Sequence, residues 1–292
     1  MASDGVTISI VVACHDARNT VVDCLESIRR QAGRDAEVLV VDNSSDGTAE
    51  VVRARFPDVA VSRVPPAALV PELWAAGIRA SRGDILAITT AHCVPRDGWL
   101  AAMMEAMARP VAGVGGAIDN DPRASVVDWA VFFCRYAPYM PPIEEGFVAE
   151  IAGDNAAYRR SAIAACANAW SDGFWEATVH AELRRRGDRL WLAPDAVVCH
   201  QRSFAFTAFL RQRFVHGRRH GRDRCRELGF AARWLRALGS PLVPAVMLAR
   251  IVRHVRRKRR GGHELIRALP FVLAFLAAWT FGEAIGTIEH RR

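Results

Sequence analysis

Short apolar runs alternating with amphipathic helical stretches constrain this chain more than any other feature. Residues 8–13, 37–41, 59–64, 85–89 and 111–115 are short and rich in β-branched side chains. Between them, 20–31, 69–80 and 98–107 carry apolar positions at helical spacing, with Val21, Leu25 and Ile28 on one face. Thr20 and Asp23 have the spacing of a capping box. Strands alternating with helices of about 10–15 residues predict an α/β, mainly parallel sheet flanked by helices. Such sheets take ligands at the carboxyl ends of their strands. The site is therefore expected where the run 85–89 empties into Thr90-Ala91-His92-Cys93-Val94-Pro95.

A chain of 292 residues is long enough for one large domain, or for one domain and an appendage. Its seven cysteines, at 14, 24, 93, 134, 166, 199 and 225, are odd in number and lack CxxC spacing. That argues against a disulfide framework and a zinc ribbon and fits a reducing cytosol. The segment 1–7 is too short and polar for a signal peptide, so the catalytic part is expected in the cytoplasm. Charge is unevenly spread. Between Arg202 and Arg260 lie 17 basic and 2 acidic residues, which leaves about −7 for the rest of a chain of net +8. The partner of the basic part is anionic.

Asp42 directly follows four apolar residues, where a carboxylate can accept hydrogen bonds from a base or ribose, and Asp46-Gly47 leads into the next helix. Ligand binding and simple capping both remain open for this pair.

Seven segments, read in order, carry a family resemblance: Ile8 to Ala13, Glu37 to Thr48, Gly83-Asp84-Ile85, Pro95 to Leu100, Gly153 to Arg160, Leu183 to Gly187 and Pro194 to His200. Together they resemble an inverting family 2 glycosyltransferase of the GT-A fold over roughly residues 7–220. The resemblance implies a GT-A (nucleotide-diphospho-sugar transferase) domain over 1–230, and the composition of the remainder predicts a C-terminal membrane-associating helical region over 231–292. The donor it implies is a UDP- or GDP-sugar. Asp42 matches the carboxylate that holds the nucleoside, and Ala13, His15, Asp46, Thr90 and Ala91 fall at the same donor site. The family's metal-binding Asp-x-Asp turn falls at Thr90-Ala91-His92, which has no carboxylate. A divalent metal, Mn²⁺ or Mg²⁺, would then rely on His92, with His200 approaching it; Mn²⁺ tolerates imidazole better than Mg²⁺. Otherwise arginines, with Arg211, Arg213 and Arg218 as candidates, neutralise the leaving diphosphate.

Inversion is a single displacement and needs a base for the acceptor hydroxyl. Residues 174–184 read as a helix, and Glu176 falls where the resemblance places the base, with Phe174 and Trp175 beside it to desolvate it or stack on a sugar. The alternative for Glu176 is a first-turn residue that stabilises the helix dipole. Glu182 is expected to be an ion-pair partner. Gly153-Asp154-Asn155 is expected to precede a helix carrying Arg159 and Arg160, with Asp154 and Asn155 at the acceptor or as caps and Trp175 at the acceptor. Trp129, Phe132, Phe133, Tyr136 and Tyr139, among prolines, form an aromatic insertion that packs in a core, lines a cleft or forms a lid.

The C-terminal third adds an Arg-rich segment with interleaved Phe206, Phe209 and Phe214, an apolar run at 241–252, a basic block at 253–260 and a second apolar run at 268–288 broken by Glu283. The second run, at 1.5 Å per residue, reaches about 32 Å, just enough for a hydrocarbon core of about 30 Å, whereas the first reaches about 18 Å. A charge at mid-membrane costs about 2.5–3.5 kcal/mol, less near a helix end. The expectation is an enzyme of the cell envelope, anchored at the cytoplasmic face of an anionic membrane. Its acceptor would be lipid-linked or membrane-borne. Gly282 and Gly286 have small-xxx-small spacing. A catalytically degenerate nucleotide-sugar-binding protein is the alternative, and no nucleic-acid-reading motif is present.

Overall fold

The computed structural model describes residues 7–33, 35–225 and 242–289. The chain divides into two compact units: residues 1–121 with 139–202, and residues 122–138 with 203–292. The expected boundary between 230 and 231 lies outside the described residues.

The first unit holds one sheet. Its parallel half is built from β1 (Ile8–Cys14), β2 (Ala36–Asp42), β3 (Ala60–Arg63) and β4 (Ile85–Thr90) in the order β3-β2-β1-β4. The helices between them, α1 (Val21–Gln31), α2 (Thr48–Arg55) and α3 (Val70–Ala80), follow the expected alternation. β5 (Cys93–Pro95) and α4 (Trp99–Met107) come next, then β6 (Gly113–Asn120) and, from the second unit, α5 (Val126–Tyr136). The sheet continues through β8 (Asn155–Arg159), β6, β9 (Leu190–His200) and β5, with β7 (Gly146–Val148) on β9. β8 runs antiparallel to both β4 and β6. After it come α6 (Arg160–Ala165) and α7 (Glu176–Arg185).

Two expectations change. Thr20 precedes α1, yet its side chain makes no cap hydrogen bond; the hydroxyl contacts His92 Nδ1 at 3.1 Å instead. The stretch 155–159 is a strand, and the helix starts only at Arg160. Ala156, Ala157 and Tyr158 are fully buried between β4 and β6, so sheet pairing overrides their weak local preference.

The core of this unit joins Val11, Val41, Leu73, Trp74, Ile88, Tyr158, Phe174 and Leu183. α3 lies so close to β1 that a Cβ on Gly77 would overlap Val11. Tyr158 packs edge-on against Phe174, with centroids 5.1 Å apart. Its hydroxyl meets His180 Nε2 at 2.9 Å.

The second unit is helical. α5 is closed at its start by a capping box between Ser125 and Asp128, and Trp129, Phe132, Phe133 and Tyr136 stack along it. The aromatic segment is thus an ordered helix whose Phe132, Phe133 and Tyr136 are buried. α8 (Phe206–Arg224), α9 (Val243–Lys258) and α10 (Gly262–Ile288) complete the unit. The short apolar run and the basic block are one helix, α9. α8 and α10 run parallel: a Cβ on Gly282 would overlap the Phe214 carbonyl, and one on Gly286 the Arg218 carbonyl. Reciprocally, Gly217 and Gly221 meet the backbone at Trp279 and Glu283. By length and apolar composition α10 is able to cross a membrane, although 39% of its most apolar window is buried within the protein.

Burial, followed by the charge of Arg184, lowers the His180 pKa from 6.5 to about 4. Above pH 6.5 the ring is neutral whether folded or unfolded. As pH falls from there towards 4 the unfolded chain takes the proton first, so stability is lost through that window. We expect a loss of about 2 kcal/mol at pH 5 from this residue alone. Urea unfolding at pH 7 and pH 5 checks it, and His180→Phe should flatten the difference.

Candidate functional site

The carboxyl edge of the parallel strands brings several of the expected residues together. Cys14 lies opposite Asp42, Ala13 opposite Thr90, and Asp42 opposite Arg63. Asp42 is fully buried. Its Oδ1 accepts from the Ser44 N–H (3.2 Å) and hydroxyl (2.5 Å). Its Oδ2 has no hydrogen-bond partner, and the Arg63 Nε lies 3.8 Å away. Arg63 is itself fixed by the Ser44 carbonyl at 2.8 Å and by Glu50 at 3.4 Å. Buried carboxylate oxygens are rarely left without a donor, so this one is suited to a ribose hydroxyl or base N–H. Sequence reasoning missed Arg63; its signal was a lone cation ending a strand beside the one that ends in Asp42.

Around Asp42 the rim is tied by short contacts. His15 Nδ1 meets Asn43 Oδ1 at 2.9 Å, and Asn43 donates to the Pro66 and Ala68 carbonyls. Ala13 contributes its carbonyl, which accepts the Ala91 N–H at 3.0 Å. Asp46 is used by the turn: it accepts from Thr48 through Oδ1 and from the Arg18 N–H through Oδ2. Partial burial would raise its carboxyl pKa, but these hydrogen bonds outweigh that and hold it below the ordinary value.

At the end of β4 the chain makes a second cluster. The Thr90 hydroxyl reaches Asp154 Oδ1 at 3.2 Å, and the Thr89 hydroxyl donates to the Asp154 carbonyl at 2.8 Å. Glu176, the first residue of α7, accepts the Gly153 N–H at 3.2 Å. Gly153 must be glycine here, because a Cβ would stand 2.7 Å from Glu176 Oε1 and 2.8 Å from the Trp74 ring. Trp74 in turn donates to the Thr89 carbonyl at 2.8 Å. Thr90, Asp154 and Glu176 are thereby linked in one row. Tyr139 and Tyr158 sense the glutamate: burial first, with the Glu176 charge contributing, raises both phenols. Trp74 and the Gly153 N–H were not legible as site groups, since neither forms a motif.

Asn155 does something different from its neighbour. Its amide donates to the Ala117 and Ala196 carbonyls, both at 2.8 Å, and accepts from Trp99 Nε1 at 2.8 Å. Fully buried, its side chain belongs to the framework. Phe174 is likewise core, whereas Trp175 is half-buried at the start of α7.

The two histidines are held on adjoining segments. The His92 carbonyl accepts the Gln201 N–H at 2.8 Å, and His200 pairs with Cys93 and Asn120. The pleat puts Cys93, and not His92, on the face of His200. The His92 ring is engaged by Thr20 at Nδ1 and by the His15 carbonyl at Nε2, 3.3 Å away. Among the described residues no group of three or more His, Cys, Asp or Glu side chains is placed to hold a metal ion. The turn Thr90-Ala91-His92, without a carboxylate and with its imidazole engaged, does not fit a divalent cation of the Asp-x-Asp type.

Arg211 and Arg213 belong to the second unit. Arg211 is exposed on α8. Arg213 lies over the Trp279 ring, 5.8 Å from its centroid, and burial lowers its pKa despite the nearby Cys134. Arg218 is bound to Glu289.

A mixed, half-parallel sheet flanked by helices, with one buried carboxylate at the carboxyl edge of its parallel strands and a second carboxylate beyond β4, has the architecture of the GT-A fold. Residues 9–166 match the sequence profile of glycosyl transferase family 2, and the chain belongs to that family; it is a glycosyltransferase. Solved structures share the fold. The mannosyltransferase PcManGT from Pyrobaculum calidifontis, in complex with GDP-Man and Mn²⁺, is 18% identical with a TM-score of 0.60, over 96% of this chain and 88% of that one. S. aureus TarS 1-349, in complex with UDP-GlcNAc, is 12% identical with a TM-score of 0.52, over 68% and 59%. GalNAc-T7, with UDP, GalNAc and Mn²⁺, is 16% identical with a TM-score of 0.51, over 70% of this chain but 45% of that one. Comparison with curated proteins finds no match.

Gly153→Ala is expected to lower transfer by about 10²-fold, the scale of a 1 Å misplacement at a reacting group, while leaving donor affinity unchanged. Asp42→Asn should do the reverse, weakening the donor about tenfold. Paired kinetics and donor titrations on the two variants check both.

Proposed function

We propose that the protein transfers a sugar from a UDP- or GDP-sugar, with inversion, to a lipid-linked or other membrane-borne acceptor at the cytoplasmic face of a membrane. The first unit is the catalytic part, and the helical second unit keeps it at an anionic membrane surface. The observation that carries the proposal is the Glu176 carboxylate, fixed by the Gly153 N–H in one row with Asp154 and the end of β4. Its place there supports a base. In the step, the acceptor oxygen forms a bond to the anomeric carbon as Glu176 takes its proton. The bond from that carbon to the phosphate oxygen breaks, and its electron pair leaves on the nucleoside diphosphate. Asp42 Oδ2 holds the nucleoside, with Thr90 and the Ala13–Ala91 backbone pair lining the donor. Asp154 faces sugar or acceptor hydroxyls, with Trp175 as an apolar platform.

The fold relatives PcManGT and GalNAc-T7 carry Mn²⁺ with their ligands. No step here is routed through a metal, because the residues of the turn do not fit one. The charge of the leaving diphosphate is assigned, on chemistry, to an arginine. A second reading, a nucleotide-sugar-binding protein without transfer, is favoured by that same carboxylate-free turn.

Glu176→Gln separates the readings. It should lower transfer by at least about 10²-fold with nucleotide affinity nearly unchanged. Transfer at the wild-type rate would remove Glu176 from the mechanism, and a wild type that binds donors without turning them over would favour the second reading. Transfer should persist in the presence of a chelator; a loss restored by Mn²⁺ would bring His92 and His200 back as ligands.

A further inference from the structure

We infer that the second unit meets the membrane as an in-plane, monotopic surface, with α10 lying along an anionic bilayer and not crossing it. The inference rests on the proposed membrane-borne acceptor and specifies how the chain reaches it.

The first observation is the glycine seam. Gly217 and Gly221 of α8 and Gly282 and Gly286 of α10 let the two backbones touch, and every Cβ added there would overlap the partner helix. The seam is extended by Phe206 against Phe271 and Phe275, by Phe209 against Phe275, and by the Arg218 and Arg222 pairs with Glu289. Glu283 is buried on the side of α10 that meets Gly217 and Gly221, so it does not face lipid. If α10 crossed a bilayer with this seam intact, α8 would run beside it with Arg211, Arg218, Arg219 and Arg222. Arginine is among the residues hydrocarbon excludes most strongly.

The second observation is what α10 leaves outside. Ile266 (74% exposed), Leu273 (44%), Phe281 (63%) and Ile288 (37%) recur at intervals that place them on one face of the helix. The face is about 33 Å long. α9 packs on α10 and presents Leu242 and Val246 near its start, then Arg250, Arg253, Arg256 and Arg257 towards its end. Apolar residues flanked by a basic cluster match a bilayer surface, with acyl chains under the first and anionic headgroups against the second. The arginines are the reason for choosing lipid over a second copy of the chain, whose matching surface would be equally basic.

The test uses the full chain and vesicle flotation, which does not depend on transfer. The protein should float with phosphatidylcholine vesicles that contain phosphatidylglycerol and bind pure phosphatidylcholine vesicles at least about tenfold more weakly, as expected when basic residues contribute through the surface potential. Alkaline carbonate should release it. Ile266→Trp, Leu273→Trp and Phe281→Trp, made singly, should each add quenching over wild type by lipids brominated at one shallow depth. Leu273→Asp with Phe281→Asp should reduce vesicle binding without changing the thermal shift given by nucleotide-sugars. Resistance to carbonate, quenching graded with position along α10, indifference to anionic lipid, or a dimer in solution that the double variant splits would each overturn the inference. Vesicle binding without transfer would leave it standing while removing the proposed activity, and transfer without vesicle binding would do the opposite.

Discussion

The buried amide of Asn155 is the interaction on which the site depends. Its three hydrogen bonds join β8 to the carbonyls of Ala117 and Ala196 and to the indole of Trp99 at the start of α4. A buried amide left without such partners costs about 1–3 kcal/mol per group, so the three bonds fix the register of an otherwise unremarkable Asn-Ala-Ala strand. The approach is possible because the neighbouring β6 carries Gly116, where a Cβ would meet Asn155. Once Asn155 is fixed, Asp154 has to emerge beside Thr90, and the Gly153 N–H points at the glutamate of α7. The framework residue and the chemical residues are therefore consecutive in sequence. The sequence alone therefore left Asp154 and Asn155 open between acceptor contacts and helix caps.

The parallel half of the fold was legible because β1, most of β4 and the end of β2 are buried and written as apolar, largely β-branched runs. The antiparallel half was not. Residues 155–159 contain two alanines, a tyrosine and an arginine, which carry no strand period, and only their place between β4 and β6 decides their state. At the site, Asp42 was singled out by its position after a strand, and Glu176 by the family resemblance. The groups that hold them were not: Arg63 acts across a strand pair, and Trp74 acts through a ring contact with a glycine. Such partners are set by tertiary contact and leave no local signature.

Thr20 and His92 show the limit of reading a turn by its motif. The spacing from Thr20 to Asp23 is that of a capping box, yet the hydroxyl turns to the imidazole. With Nε2 directed to the His15 carbonyl, His92 ties the start of α1 to the loop after β1. Where the family resemblance implied an acidic turn, this chain has a hydrogen-bonded strut. The turn itself therefore holds no carboxylate that would need a cation for its own neutralisation.

Small residues at four-residue spacing mean different things in different solvents. In lipid they let apolar helices approach, and in a helical unit folded in water they do the same by burying backbone against backbone. The spacing of Gly282 and Gly286 alone does not choose between these. Gly217 and Gly221 choose, because they supply the matching seam from a helix rich in arginine, one that stays out of hydrocarbon. The apolar length of α10 therefore measures two surfaces at once: the side closed by α8, where Glu283 and Thr287 are buried, and the open side marked by Ile266, Leu273 and Phe281. A hydropathy window averages over the two, whereas contacts separate them, and only the open side is available to a membrane.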